Sequence, residues 1–414
     1  MEVARDTAIQ HVVNRSRRPW ALLGVSFALV MIDGYDLFIV SFVAPLIAKD
    51  LHMNFSSLGT VFAAGLAGSM VGGLLLGRMA DRAGRRPAVL VSLVTAGIAT
   101  LLCSQASSFG AFAALRFLTG LALGGLLAAI VPLVAELFPP QQRSAAVTMM
   151  FIGYPLGAVV GGAITALLIA HGWRNLFLGA GSVTLLLVPI ALFLRETLYA
   201  SDAPMRDAPR QLRRGTFIGL FTEGRFWTTV IASCGIICLL LVAYLLNSWT
   251  PLIAAKSGFS PQAAAWCGVL LNLGGVVGAL ASTLLVARFG VFKVVTLMIA
   301  GGALAVASLG HLYGSTAALY SGLAVIGLLL IGGQQNAPAI SVQLYPRHMR
   351  SAGVGWQFAA GRFGSILGPI IGGRLLAANV PISLLFMLIA IPALLSAGAY
   401  TLAGLFRQKH QEHD

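Results

Sequence analysis

The stretch WALLGVSFALVMIDGYDLFIVSFVAPLIA, residues 20–48, determines how the rest of the chain is interpreted. Its length and apolar character predict a membrane-spanning helix. Two carboxylates stand at its centre, in Asp33-Gly34-Tyr35-Asp36. Their i, i+3 spacing puts both on one helix face, which must look toward protein or water because charges in lipid are costly. Burial and mutual repulsion favour proton binding, so the pair is a candidate proton-coupling site; the alternative is a buried acid that only bonds a neighbouring helix.

Composition places the whole chain in a membrane. Its 414 residues are 58% hydrophobic and 10% charged, with a mean hydropathy of +0.88, which excludes a soluble globular protein. The first apolar run is too long for a signal peptide, so it is interpreted as an uncleaved first helix. The four cysteines fall in apolar spans and are interpreted as packing residues. Neither a metal nor a cofactor is expected.

The apolar segments predict an all-α polytopic protein with twelve transmembrane helices, arranged as two pseudo-symmetric six-helix bundles. A polar stretch is the only long linker and divides the chain in half. The predicted parts are a cytoplasmic tail, a first bundle, a cytoplasmic linker, a second bundle and a second cytoplasmic tail. They cover residues 1–19, 20–194, 195–225, 226–406 and 407–414.

The distribution of basic residues predicts the orientation. Of 27 lysines and arginines, 21 fall on the face that holds both termini and the linker, and 4 fall on the opposite face. Positive charge concentrates on the cytoplasmic side of membrane proteins, so both termini are predicted to be cytoplasmic. The net charge of +14 is therefore topological and does not indicate a nucleic-acid partner.

The two halves repeat each other. Pro45-Leu46-Ile47-Ala48 recurs 206 residues later as Pro251-Leu252-Ile253-Ala254. The glycine spacing of span five, which begins at Gly153, recurs in span eleven from Gly364. A six-plus-six duplication of this kind predicts a substrate site between the halves near the bilayer midplane, with alternating access. The second half has leucines and a valine where the first has its two aspartates, which favours a functional role for the acids.

Two arginines fall inside spans and need partners. Arg116 in span four is predicted to pair with Asp33 or Asp36, the alternative being a side chain that reaches the outer interface. Arg362 lies about 18 Å into span eleven, near the midplane. It is a candidate to bind an anionic substrate, because a guanidinium binds a carboxylate with two parallel hydrogen bonds. The alternative is a bond to backbone carbonyls.

Two further groups of residues are candidates. The loop after span two contains an acid among arginines, which predicts charge pairs that hold one conformational state and break in the other; the alternative is a plain positive cytoplasmic loop. These gating candidates are Asp81, Arg82, Arg85 and Arg86. Polar and aromatic side chains near the expected cavity could stack on and hydrogen-bond a small planar acid, or only join helices. They are Tyr35, Tyr154, Tyr244, Asn247, Trp249, Asn272, Gln334, Gln335, Asn336, Trp356 and Gln357.

Taken together, these motifs resemble the aromatic acid:proton symporter family of the major facilitator superfamily. The resemblance runs through most of the chain. Its main motifs are Asp33 to Asp36, the superfamily loop Asp81 to Arg86, Arg116 to Gly125, Tyr244 to Pro251 and Gly361 to Gly368. It implies the major facilitator fold, import of benzoate-, hydroxybenzoate-, phenylpropionate- or muconate-type acids with protons, and a requirement for both aspartates. The second-half loop at Arg288 has no acid, so a second full set of charge pairs is not expected.

We therefore expect a monomeric secondary transporter of the bacterial inner membrane that imports a small aromatic or related carboxylate. Its partners are the substrate anion, protons as the coupling ion, and membrane lipid. One alternative is a proton-coupled antiporter that exports drugs or metabolites, which the glycine-rich span five resembles. A membrane receptor would normally have an added soluble domain. An enzyme is not expected, because neither a nucleophile triad, a phosphate-binding loop nor a metal cluster stands out.

Overall fold

The computed structural model describes residues 19–139, 142–192, 219–222, 225–311, 315–345 and 349–411. Within these ranges the chain forms twelve long helical segments, which we number in order. They are α1 Pro19–Phe42, α2 Phe55–Ala83, α3 Arg85–Cys103, α4 Phe109–Leu137, α5 Arg143–Leu168, α6 Trp173–Ala191, α7 Phe226–Lys256, α8 Pro261–Phe289, α9 Val291–Leu309, α10 Thr316–Leu344, α11 Arg350–Ala377 and α12 Ile382–Gln411. The predicted tails at 1–18 and 412–414 and most of the predicted linker lie outside the described residues.

Eleven of these described segments are long and apolar enough to cross a membrane. The remaining one, α11, has 28 residues and is long enough, but it contains Arg350, Arg362 and Arg374 and is therefore less apolar. At about 1.5 Å per residue its length exceeds a ~30 Å hydrocarbon core. The predicted twelve-helix membrane fold is confirmed.

The first predicted span is interrupted near its outer end. The run expected over residues 20–48 ends as a helix at Phe42, and a short helix, Ala44–Asp50, follows after Val43. Pro45 explains the break, because a proline has no backbone N–H and its ring clashes with the carbonyl four residues earlier. Near the inner end, Gly84 and Gly290 occupy equivalent positions in the two halves. Both have positive φ, 105° and 84°, at the tight turns α2–α3 and α8–α9.

Helix α10 is also interrupted. It runs as an α-helix over Thr316–Ile326, as a π-helix over Gly327–Ile331 and as a single turn over Gly332–Gln334, and then resumes at Ala337–Leu344. The predicted polar stretch from Gln334 to Asn336 lies at the last break. Breaks of this kind inside a membrane helix are tolerated where the freed backbone is buried in protein or lines a cavity.

Contacts between α-carbons divide the chain into two compact units. Unit 1 contains the described parts of Met1–Ile39, Ala64–Gly161 and Leu168–Ser201. Unit 2 contains Val40–Ala63, Gly162–Leu167 and the described part of Asp202–Asp414. Most described residues before the predicted linker fall in unit 1, and those after it fall in unit 2. In addition, the outer ends of α1, α2 and α5 group with the second half.

In unit 1, α1 packs directly on α5. A Cβ atom added at Gly34 would overlap the carbonyl oxygen of Tyr154, and one added at Gly157 would overlap that of Met31. Only glycine permits backbones to approach this closely. Unit 2 has the corresponding contact between α7 and α11, where Gly364 meets the carbonyl of Ile237. The same pairing of first and fifth helices thus occurs in each half.

In unit 2, the outer end of α1 contacts α7. The Ser41 hydroxyl donates to the backbone carbonyls of Asn247 and Ser248. Ser41 and Asn247 are 206 residues apart, which is the repeat offset, so equivalent points of the first helix of each half meet here. Phe42 is buried beside them, against Gly162 and Gly268.

Candidate functional site

The aspartates of α1 are both buried inside unit 1, Asp33 with 5% and Asp36 with 4% of its surface exposed. Asp36 forms an ion pair with Arg116 of α4. The guanidinium Nη1 donates to Asp36 Oδ2 at 3.1 Å and lies 3.3 Å from the backbone carbonyl oxygen of the same residue. Arg116 is 4% exposed, so neither charge is solvated by bulk water. The pairing of Arg116 with one of the two aspartates is therefore confirmed, and the alternative of an Arg116 side chain at the outer interface is excluded for this structure.

Two threonines complete the surroundings of the pair. Thr100 of α3 donates its hydroxyl to Asp36 Oδ1 at 2.7 Å and lies 3.3 Å from Arg116 Nη2. Thr119 of α4 accepts from the same nitrogen at 3.0 Å. The ring of Phe177 lies 5.2 Å from the guanidinium carbon. Sequence reasoning missed both threonines, because a threonine in an apolar span has no distinguishing signal.

This arrangement compensates a buried charge pair that would otherwise be destabilising. Desolvation of two ions costs several kcal/mol each, and good geometry with additional hydrogen bonds is needed to offset it. Both Asp36 oxygens accept hydrogen bonds, and the guanidinium donates to Asp36 and to two hydroxyls. Both oxygens of the Asp36 carboxyl group are therefore engaged as acceptors. These hydrogen bonds join α1, α3 and α4 at one point.

Arg362 lies midway along α11 in unit 2 and is half-buried. Among the described residues, no carboxylate lies within 4 Å of its guanidinium. A cation at this depth needs an anion, a carbonyl or water. Its predicted role of binding a substrate anion stays a prediction.

A chain of amides lies in the same unit. Asn272 of α8 donates from Nδ2 to Asn247 Oδ1 and to the Gly268 carbonyl, both at 2.9 Å. Asn247 of α7 donates to the Ala243 carbonyl at 2.9 Å. The backbone carbonyls fix the orientation of both amides, because in a flipped amide the side-chain oxygen would lie against the carbonyl oxygen. The Asn272 carbonyl oxygen is thus the group left to accept a further hydrogen bond.

The other cavity candidates separate into different surroundings. Tyr35 and Tyr154 are half-buried in unit 1 at the α1–α5 contact, with Phe38 packed edge-on against Tyr154. In unit 2, Tyr244 and Gln334 are half-buried and Gln335 is exposed. Asn336 donates to Ser282, and the Gln334 Oε1 atom is buried with no donor among the described residues.

Trp249 does not fit the predicted role of substrate ligand. It is fully buried, with 0% exposed, and its indole N–H donates to the Pro369 carbonyl at 3.0 Å. Its ring packs edge-on against Phe62 and close to Gly373. The side chain is therefore a packing residue at the outer end of unit 2.

Trp356 and Gln357 belong to a hydrogen-bonded cluster around Ser233 of α7. Both donate to Ser233, and Gln357 also donates to the hydroxyl of Tyr345. The short segment at Leu220 joins the same cluster, where Thr229 donates to its carbonyl. These residues therefore hold the end of the linker against α7 and α11.

Among the described residues, one ion pair involves the predicted gating turn. Arg85 pairs with Glu136 near the inner end of α4. Asp81 and Arg82 are exposed, Arg86 is half-buried, and no ion pair joins Asp81 to another described residue. The gating role of Asp81, with charge pairs that form in one state and break in the other, stays a prediction. Glu136 is the only acid of α4, facing an arginine-rich turn, and that was the signal available in the sequence.

Twelve membrane helices in two repeated halves, with intramembrane charges in each, define a membrane transporter. Comparison with known proteins agrees. The chain matches the family model described as Major Facilitator Superfamily over residues 26–337 and 253–413. It is 32% identical to a gallate transporter of Pseudomonas putida, over 91% of this chain and 90% of that protein. It is also 32% identical to a 4-hydroxybenzoate transporter of Acinetobacter baylyi, over 92% and 90%, and 29% identical to a 3-(3-hydroxy-phenyl)propionate transporter of Escherichia coli, over 92% and 93%.

Solved structures show the same fold at lower identity. The crystal structure of a D-xylose-proton symporter superimposes with a TM-score of 0.78 at 15% identity, covering 92% of this chain and 97% of that one. A nucleoside transporter superimposes with a TM-score of 0.75 at 16% identity, covering 93% and 99%.

The protein is thus a transporter and not an enzyme. It belongs to the major facilitator superfamily and, within it, to the family of aromatic acid transporters.

Proposed function

We propose that this protein imports a small aromatic or related carboxylate together with protons, by alternating access. The principal support is the buried ion pair Asp36–Arg116 with Asp33 one turn away. Charges inside a membrane are costly and are retained where a transport cycle uses them. The equivalent positions of α7 are Leu239 and Val242, which supports a role for the two acids other than helix packing.

The substrate is proposed to be an aromatic carboxylate such as a hydroxybenzoate. The relatives named for gallate, 4-hydroxybenzoate and hydroxyphenylpropionate support this class. Arg362 is proposed to bind the carboxylate, since a guanidinium and a carboxylate match in charge and in geometry. The amides of Asn247 and Asn272 are proposed to contact polar ring substituents, and Tyr244 to stack on the ring.

Proton coupling follows from the charge of the substrate. Moving one negative charge inward against a negative-inside potential costs roughly 2.3 kcal/mol per 100 mV. One proton bound to an aspartate cancels that charge, and a second would make import electrogenic and favourable. Asp33 and Asp36 together provide two carboxylates for this purpose.

The proposed location is the bacterial inner membrane, with both termini cytoplasmic. The charge asymmetry of 21 basic residues against 4 supports this orientation. The gating turn at Arg85 then faces the cytoplasm, and Ser41 lies toward the periplasm.

Uptake of labelled 4-hydroxybenzoate and gallate into cells that express the protein tests the proposal. We expect uptake that a proton ionophore abolishes and that excess benzoate-type acids inhibit, whereas neutral sugars do not. Accumulation that rises when the ionophore is added would instead indicate proton-driven export and would overturn the proposal.

A further inference from the structure

Thr100 connects the two charged groups of unit 1. Its single hydroxyl oxygen lies 2.7 Å from Asp36 Oδ1 and 3.3 Å from Arg116 Nη2. The residue is buried on α3, whereas Asp36 is on α1 and Arg116 on α4. One side chain of a third helix therefore touches both members of the pair.

The direction of both hydrogen bonds is determined by chemistry. A guanidinium only donates, so the Thr100 oxygen accepts from Arg116. The hydroxyl hydrogen then remains for Asp36, whose Oδ1 accepts it. Asp36 Oδ2 already accepts from Arg116 at 3.1 Å. Each carboxylate oxygen is thus engaged by its own donor, and the arginine polarises the hydroxyl that donates to Oδ1.

We propose that Thr100 is a positioning residue of the proton site, one that stabilises the deprotonated form of Asp36 and so sets the pH at which Asp36 takes up its proton. This inference rests on the proposed function. When a proton binds the carboxylate it forms one O–H bond and removes the negative charge, so the hydrogen bond that Thr100 donates to Oδ1 becomes weaker. No other bond is made or broken in this step.

Other charged and titratable groups lie on α1 and on the helices of unit 1 near it, and their effect must be separated from that of Thr100. They are Asp33 and Tyr35 on α1, Cys103 on α3, Arg116 on α4 and Tyr154 on α5. Substitution of Thr100 leaves all five in place. A threonine that only packed between helices would change stability or total rate but not the pH dependence.

The test is the pH profile of 4-hydroxybenzoate uptake into proteoliposomes, compared between the wild-type protein and Thr100→Val. Valine keeps the shape and removes the hydroxyl. A hydrogen bond to a charged group contributes about 1.5–3 kcal/mol, which corresponds to at least about a tenfold change in proton affinity. We therefore expect Thr100→Val to reach half-maximal uptake at a lower proton concentration than the wild type, that is, at a higher pH. Release of the proton becomes harder, so the maximal rate falls. Thr100→Ser should restore the wild-type profile.

Thr184→Val is the matched control. Thr184 is a buried threonine of unit 1 that bonds only the Ala180 carbonyl, at 2.9 Å, and its substitution should leave the midpoint unchanged. If Thr100→Val does not reach the membrane, Thr100→Ala provides the same comparison. A wild-type midpoint in the hydroxyl-free variant would overturn the inference while leaving proton-coupled import intact. A wild-type protein whose uptake is independent of pH and of ionophore would overturn the proposed function, and the inference with it.

Discussion

Arg116 contacts Asp36 twice, through the side-chain carboxylate at 3.1 Å and through the backbone carbonyl at 3.3 Å. One nitrogen, Nη1, makes both contacts, while Nη2 contacts Thr100 and Thr119. The guanidinium thus fixes the side chain and the backbone of the acid at once, across the contact of α1 with α4.

The first prediction concerns this geometry. Arg116→Lys keeps the charge but cannot supply a planar set of donors, so we expect uptake to fall by about tenfold or more. Arg174→Lys is the matched control, because Arg174 is another arginine of unit 1 that contacts backbone carbonyls. It donates to those of Ser104 and Ala106. Initial uptake rates, normalised to the amount of protein in the membrane, measure the effect. Equal rates in the two variants would contradict the assigned importance of the Asp36 contact.

The second prediction concerns Arg362. If its guanidinium binds the substrate carboxylate, Arg362→Ala abolishes binding and Arg362→Lys weakens it by about 1.5–3 kcal/mol, or roughly ten- to a hundredfold. Arg374→Ala, an exposed arginine of the same helix, should bind as the wild type does. Equilibrium binding of 4-hydroxybenzoate to purified protein measures the difference. Unchanged affinity in folded Arg362→Ala protein would exclude this role.

The third prediction separates gating from binding. Glu136→Gln removes the ion pair that Glu136 forms with Arg85. Asp81→Asn removes the exposed carboxylate of the same turn. Both should slow transport by severalfold while affinity stays near the wild-type value, because pairs at this turn stabilise conformational states rather than the ligand. Arg78→Gln, at an exposed position nearby, serves as the control. Parallel loss of affinity and rate in either acid variant would argue against gating.

The fourth prediction concerns Asn272. Its two amide hydrogens are used by Asn247 and Gly268, so its carbonyl oxygen is an acceptor suited to a ring hydroxyl. Asn272→Leu should weaken binding of 4-hydroxybenzoate by about tenfold and that of benzoate much less. Asn175→Leu removes a similar amide-to-carbonyl bond at an exposed site and should change neither affinity. The measurement is the dissociation constant of each variant for 4-hydroxybenzoate and for benzoate. An equal loss of affinity for both acids in Asn272→Leu would refute a contact with the ring hydroxyl.

Hydropathy, charge asymmetry and internal repeats were sufficient to predict the twelve helices and their division into halves. Each of these patterns extends over many residues, so a single residue that departs from the pattern does not change the prediction. The break after Phe42 was not predicted. Pro45 alone does not indicate a break, because Pro251, at the equivalent position of the second half, lies inside a continuous helix. Whether a proline interrupts a membrane helix depends on how its neighbours satisfy the freed backbone.

The site was predictable only where a residue is costly in its surroundings. Charges in a membrane stand out, so the sequence indicated Asp36 and Arg116, which the structure pairs. It also indicated Arg362, whose role stays a prediction. Thr100 is inexpensive in an apolar helix because its hydroxyl can bond its own backbone, and only the folded structure shows that it contacts Asp36 instead. Trp249 was misassigned for a related reason: an aromatic residue with a polar N–H suits either a ligand site or a packed helix contact.

The two aspartates of α1 provide the most direct test of proton-coupled import. Purified protein is reconstituted into proteoliposomes, a pH gradient is imposed with the outside acidic, and accumulation of labelled 4-hydroxybenzoate is measured. The wild-type protein should concentrate the acid inside. Asparagine cannot exchange a proton, so the double variant Asp33→Asn with Asp36→Asn should bring internal substrate no higher than the external concentration. Accumulation by the double variant in response to the gradient would contradict the account.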